Sequence, residues 1–94
     1  MRPLVLTPKF QRAYRKFARR NQKLQGRIDA ALQQLQEDAY ASSLNTHKLS
    51  GTLFGLWACS CGYDCRILFS IEVDPATQAE VIVLLDIGTH DEVY

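Results

Sequence analysis

The chain changes its hydrophobic period about halfway along. In "TPKFQRAYRKFARR", Phe10, Tyr14 and Phe17 fall one helical turn apart and form a single apolar stripe among basic residues. Thr7 offers an N-cap oxygen, and Pro8 suits the first helical position, where the missing N–H would have had no partner. Asn21 interrupts the stripe and can cap a second helix. Within "NQKLQGRIDAALQQLQEDAY", Leu24, Ile28, Ala31, Leu32 and Leu35 keep helical spacing. Gly26 costs that helix about 1 kcal/mol against alanine, so the sequence predicts close approach of the first helix there. Two antiparallel helices joined tightly follow from this pattern.

Elsewhere the apolar residues run or alternate as in strands. "PLVL" reads as a short first strand, with Pro3 at its start, where a missing N–H costs least. "ASSLNTHKLSG" is a polar connection. "TLFGLWACS", "YDCRILFSIEV" and "AEVIVLLDIG" are rich in β-branched, aromatic and aliphatic residues. "CGY" separates the first two, with Gly62 supplying the turn, and "DPATQ" separates the last two. Such short links predict antiparallel neighbours. The expected fold is α+β: a small sheet of about four strands in the order β-α-α-β-β-β, with the two N-terminal helices on one face and residues 1–94 forming a single domain.

Composition adds limits. Hydrophobic residues make up 47% of 94 residues, which suits a globular chain rather than a disordered one. No apolar run of about 18 residues offers a membrane span. No apolar secretion segment opens the chain, so a cytoplasmic protein with free thiols is expected. The net charge of +1 conceals a split. Residues 1–50 carry ten Lys/Arg and three Asp/Glu, net +7; residues 51–94 carry one and seven, net −6. The basic half either meets a polyanion or acidic partner, or is simply a pair of helices with solvated Lys and Arg faces.

The polar residues left over are His47, Lys48, Asp64, Arg66, His90, Asp91, Glu92 and Tyr94. A regular meander would bring them to one end or over one face of the sheet, with Asp64 and Arg66 side by side on the third strand. Two histidines suit proton transfer near neutral pH. RNA transesterification needs a base for the 2′-OH, an acid for the leaving 5′-oxygen and a cation for the phosphorane. Arg66 is the cation, Asp64 a group to orient a histidine, and Tyr94 a base-stacking ring or proton donor. Each also has an ordinary reading: a surface or capping histidine, an exposed ion pair, a terminal aromatic anchor. Cys59, Cys61 and Cys65 supply three thiols at spacings unlike a zinc site, so buried small side chains and no metal are expected. Cys59 and Cys61 share a strand face and are open to oxidation in air.

"HKLSG", "YDCRILFSI" and "LLDIGTHDEVY" together resemble the RelE/ParE toxin superfamily of bacterial type II toxin–antitoxin systems, in its YafQ-like and HigB-like branches. The resemblance spans the whole chain. Its specific part is H-K-L-S-G paired with G-T-H-x-x-x-[YF] about 40 residues later, with D-x-R-I between. It implies a RelE-like sheet, leaving room for a parallel pairing of strand one. It implies a ribosome-dependent, metal- and cofactor-independent mRNA endoribonuclease acting by 2′-OH attack. The partners would be a cognate antitoxin, the ribosome and mRNA, with no membrane. His47, Asp64, Arg66, His90 and Tyr94 fall at functional positions of the family. Arg12, Arg15, Lys16, Arg19, Arg20, Lys23 and Lys48 are expected to face RNA, with affinity that falls as salt rises. The chain departs from the family pattern at Ser60, where His-rich relatives carry another histidine, and at Cys65, where an aromatic follows the aspartate. Two alternatives therefore stay open: a gyrase inhibitor without a nuclease site, and a degenerate antitoxin-binding domain.

Overall fold

A computed structural model of the chain describes residues 1–89. The elements are β1 (Leu4–Leu6), α1 (Pro8–Arg20), α2 (Gln22–Glu37), β2 (His47–Lys48), β3 (Trp57–Gly62), β4 (Cys65–Val73) and β5 (Glu80–Gly88). The sheet has five strands in the order β1-β5-β4-β3-β2. β1 runs parallel to β5, and every other neighbouring pair is antiparallel. The α+β class and the helix pair stand as read from sequence, with one more strand than expected.

The caps act where the residue types place them. Thr7 Oγ1 accepts from the Phe10 N–H at 3.2 Å and donates to the Leu84 carbonyl at 2.8 Å. One hydroxyl thus starts α1 and ties it to β5. Asn21 closes α1 and opens α2, its side chain accepting from the Leu24 N–H. The two helices are held together by Tyr14, whose hydroxyl donates to Asp29 Oδ1 at 2.6 Å and accepts from Gln25 Nε2 at 3.3 Å. The bond to Asp29 raises the phenol above its usual 10.0, against a smaller lowering by Gln25.

Phe10, Ile28, Ala31 and Leu35 of the helices pack on Cys59, Ile67, Phe69, Ile82, Leu84 and Ile87 of the sheet. Ala58 and Leu68 are buried but do not belong to that cluster, because they lie on the opposite face. The register slips between Ser60 and Gly62 on β3 and between Leu68 and Phe69 on β4. Such slips let successive residues keep the same face toward the core.

Four local expectations change. "TLFGL" is not part of a strand, which begins only at Trp57: Gly51–Leu53 is a 3-10 turn, and Gly55 has φ +92°, which an extended run cannot contain. His47 and Lys48, expected in a loop, pair with Ala58 and Trp57 as a two-residue edge strand. Cys61 and Cys65 form a disulfide rather than free thiols, leaving Cys59 as the free, buried cysteine. Around Gly26 there is open space: a Cβ built there meets nothing within 4 Å. The glycine is therefore not a close-packing device. Replacing it by alanine is expected to raise stability by about 1 kcal/mol, the helix-propensity difference. Urea unfolding of Gly26→Ala against the natural chain measures this; an unchanged or lowered midpoint would contradict it.

Candidate active site and basic surface

Strand register decides which sequence-predicted residues meet. His47 lies opposite Ala58, Ala58 opposite Leu68, and Leu68 opposite Asp86, a row crossing four strands. One pleat further toward the β3–β4 turn, Ser60 lies opposite Arg66 and Arg66 opposite Gly88. Since alternate residues share a face, His47, Ser60 and Arg66 stand on the sheet face away from the helices. Two strand spacings and two residues of rise separate His47 from Arg66, about 12 Å between Cα atoms. Two long side chains at that separation can flank a phosphodiester.

His47 is exposed, and its Nδ1 lies 2.9 Å from the Asn45 carbonyl oxygen. A carbonyl only accepts, so Nδ1 carries the proton in the neutral ring and Nε2 is the nitrogen that can take another. Arg66 is half-buried, and its Nη1 donates to the carbonyls of Cys65 at 2.9 Å and Gly62 at 3.4 Å. The guanidinium is thereby turned toward the hairpin end of the face, away from His47.

Asp64 is not on β4 beside Arg66. It sits with Tyr63 in the two-residue turn between Gly62 and Cys65, at φ +52°. An aspartate tolerates that left-handed backbone better than most residues. The structure therefore brings His47 and Arg66 onto one face and sets Asp64 at the turn closing Arg66's end. His90, Asp91, Glu92 and Tyr94 lie outside the described residues.

The basic residues divide. Arg12, Arg15, Lys16, Arg19 and Arg20 are exposed along α1 and line one shallow depression. Lys23 is exposed in the first turn of α2. Lys48 neighbours His47 on a strand and so points the other way, its Nζ 5.3 Å from the centre of the Trp57 ring. That contact ends a chain of two rings with a cation at each end: Arg2 lies over Tyr40 at 5.8 Å, and Tyr40 meets Trp57 edge-on at 5.6 Å. Sequence reasoning missed this chain, because nothing local relates Arg2, Tyr40 and Trp57. It also missed the Cys61–Cys65 bond. The available signal was the turn itself: two cysteines four apart bracket Tyr63–Asp64 and face each other once those residues are taken as the loop.

Among the described residues, no group of three His, Cys, Asp or Glu side chains is placed to hold a metal. No helix among them is long and apolar enough to cross a membrane. Cys59 lies fully buried near Arg66. Burial pushes its thiol up from 9.0 to about 12, and the Arg66 charge offsets part of the rise.

A two-helix layer on a mixed five-stranded sheet is a fold that this chain shares with small bacterial toxins. The chain matches the family of bacterial toxins of type II toxin–antitoxin systems, YafQ, over residues 2–94, and belongs to it. Among curated proteins, no sequence matches. Solved structures agree in fold. A YoeB/ParE toxin from Agrobacterium tumefaciens is 15% identical with a TM-score of 0.77, over 94% of this chain and 98% of that one. YafQ from E. coli strain BL21(DE3) is 12% identical with a TM-score of 0.76, over 100% and 99%. The YafQ-like chain of the E. coli DinJ–YafQ complex is 11% identical with a TM-score of 0.74, also over 100% and 99%.

The Cys59 thiol ionises in the unfolded chain before it does in the folded one. Its contribution to stability is complete below pH 9.0 and is lost as pH rises toward about 12. Stability measured by urea unfolding between pH 8 and pH 11 is therefore expected to fall more steeply for the natural chain than for Cys59→Ala. Parallel curves would refute the assignment.

Proposed function

We propose that the chain is an mRNA-cutting toxin that works on the ribosome without metal, and that an antitoxin neutralises it. The observation that carries this reading is the placement of His47 and Arg66 on the one sheet face the helices leave uncovered. His47 Nε2 takes the 2′-OH proton. The freed oxygen attacks the adjacent phosphorus, and the bond to the 5′-oxygen breaks. Arg66 swings from the hairpin carbonyls to the phosphorane, whose charge compensates the broken hydrogen bonds. His90 returns a proton to the 5′-oxygen, Tyr94 stacks on the nucleotide, and Asp64 orients the groups at the hairpin end. The products are a 2′,3′-cyclic phosphate and a 5′-hydroxyl.

The position of the basic surface supports the ribosome as the setting. The exposed arginines of α1 belong to the layer on the other side of the sheet from His47 and Arg66. A short RNA in the site does not also reach them. A large ribonucleoprotein that surrounds the toxin does, and Arg12, Arg15, Lys16, Arg19, Arg20, Lys23 and Lys48 supply the phosphate contacts. The antitoxin is supported by the E. coli relative solved together with DinJ. In this reading the toxin is one domain, residues 1–94, in the cytoplasm.

Induced expression followed by primer extension on cellular mRNA tests the proposal. New in-frame cuts are expected with the natural chain. Arg66→Ala, His47→Ala and His90→Ala are each expected to reduce them by about 100-fold or more. Growth arrest with intact mRNA and accumulated broken DNA would instead mark a gyrase poison. Undiminished cutting by His90→Ala would remove that residue from the mechanism. Replacing Arg12, Arg15 and Arg19 together by alanine is expected to weaken ribosome binding and flatten its dependence on salt, by a slope of about 0.7–0.9 for each phosphate no longer neutralised.

A further inference from the structure

The β3–β4 hairpin end gathers features that the cleavage mechanism does not use. Cys61 is the residue at the β3 irregularity, and its disulfide to Cys65 closes a loop around the exposed pair Tyr63–Asp64. Gly62 and Asp64 inside that loop both hold left-handed backbone, at φ +134° and +52°. The carbonyls of Gly62 and Cys65, one inside the bridged loop and one at its end, are those that Arg66 Nη1 binds. The cross-link thus fixes the hairpin that positions both Asp64 and Arg66.

Cys61 and Cys65 are buried, at 4% and 5% exposure, so any approach to the bond is confined to one groove. Cys61 lines a groove between α2 and β3 of about 330 Å³, shared with Arg27, Gln34, Ser43, Ser60 and Leu44. Arg27 is exposed, and its side chain lies across Gly62: a Cβ built on that glycine would come within 3.2 Å of Arg27 Cδ. A guanidinium on the lining of a groove that it shares with a bridged cysteine attracts a small anion.

We propose that Cys61–Cys65 is a reversible thiol-exchange site for a small anionic thiol of the glutathione type, which enters past Arg27 and attacks Cys61. The incoming thiolate forms a bond to Cys61 Sγ as the Cys61–Cys65 bond breaks, and Cys65 leaves as a thiolate that takes a proton from water. A second thiolate attacks the outer sulfur of the mixed disulfide. The small disulfide departs, and Cys61 is protonated. Two electrons pass from two small thiols to the protein, and the small disulfide drives the reverse. Cys59, fully buried and held protonated at neutral pH, does not compete as a nucleophile. In a reducing compartment the site rests as a dithiol with a loosened hairpin, and oxidation closes the loop. The consequence for RNA cutting rests on the function proposed above; the exchange chemistry does not.

Purified full-length chain, oxidised and then exposed without denaturant to reduced glutathione, tests the exchange. Alkylation and mass measurement at intervals are expected to show two labelled cysteines, Cys61 and Cys65, with Cys59 unlabelled. Arg27→Gln is expected to slow reduction by glutathione at least fivefold, while uncharged dithiothreitol reduces both proteins within twofold of each other. Reduction that requires denaturant, or equal slowing with both reagents, would overturn the site. In a second arm, oxidised and reduced chains are compared for cleavage of ribosome-bound mRNA. At least a threefold difference is expected in the natural chain and none in the Cys61→Ser/Cys65→Ser double variant. Equal cleavage by the two redox forms would overturn the coupling. No cleavage by either form would strike the nuclease proposal and leave the exchange to be decided by the first arm.

Discussion

Burial of Ile67 and Phe69 on β4, with Cys59, Ile82 and Leu84 on the strands beside it, under Phe10, Ile28 and Leu35 is the interaction on which the rest depends. A strand has only two faces. Once alternate residues of the central strands are committed to the helix layer, those between them are committed to the other side. Arg66 faces outward because Ile67 faces inward. His47 shares that outward face only because β2 pairs with β3 in the observed register. A shift of one residue would bury the arginine and turn the histidine away. The core thus fixes the chemistry of the face away from the helices without touching it.

The helices were legible because their signals are local: a cap at Thr7, a break at Asn21, and apolar residues one turn apart. β4 and β5 were legible because long aliphatic runs between turn residues have few other uses. The errors fell where a short-range pattern had two readings. "TLFGL" is as apolar as a strand, but Gly55 within it and Gly51 before it take left-handed backbone and hand it to a turn. Asp64 and Arg66 are two apart, as on one strand, yet the turn falls between Gly62 and Cys65 and takes Asp64 with it. A two-residue strand such as His47–Lys48 has no length over which a period can show.

The candidate site was legible as a set of residue types but not as a geometry. His47 and Arg66 could be named from their chemistry. That they share a face follows from register, which belongs to pairs of strands rather than to any one of them. The chain of Arg2, Tyr40, Trp57 and Lys48 is an extreme case: its members come from the N-terminus, the segment after α2 and two strands, and only the assembled fold brings them together.

The strands at the two borders of the sheet, β1 and β2, have three and two residues, while β4 and β5 between them have nine each. A border that short offers little open backbone ladder to a neighbouring copy. A protein of this shape resists stacking into fibrils by its outline rather than by charge.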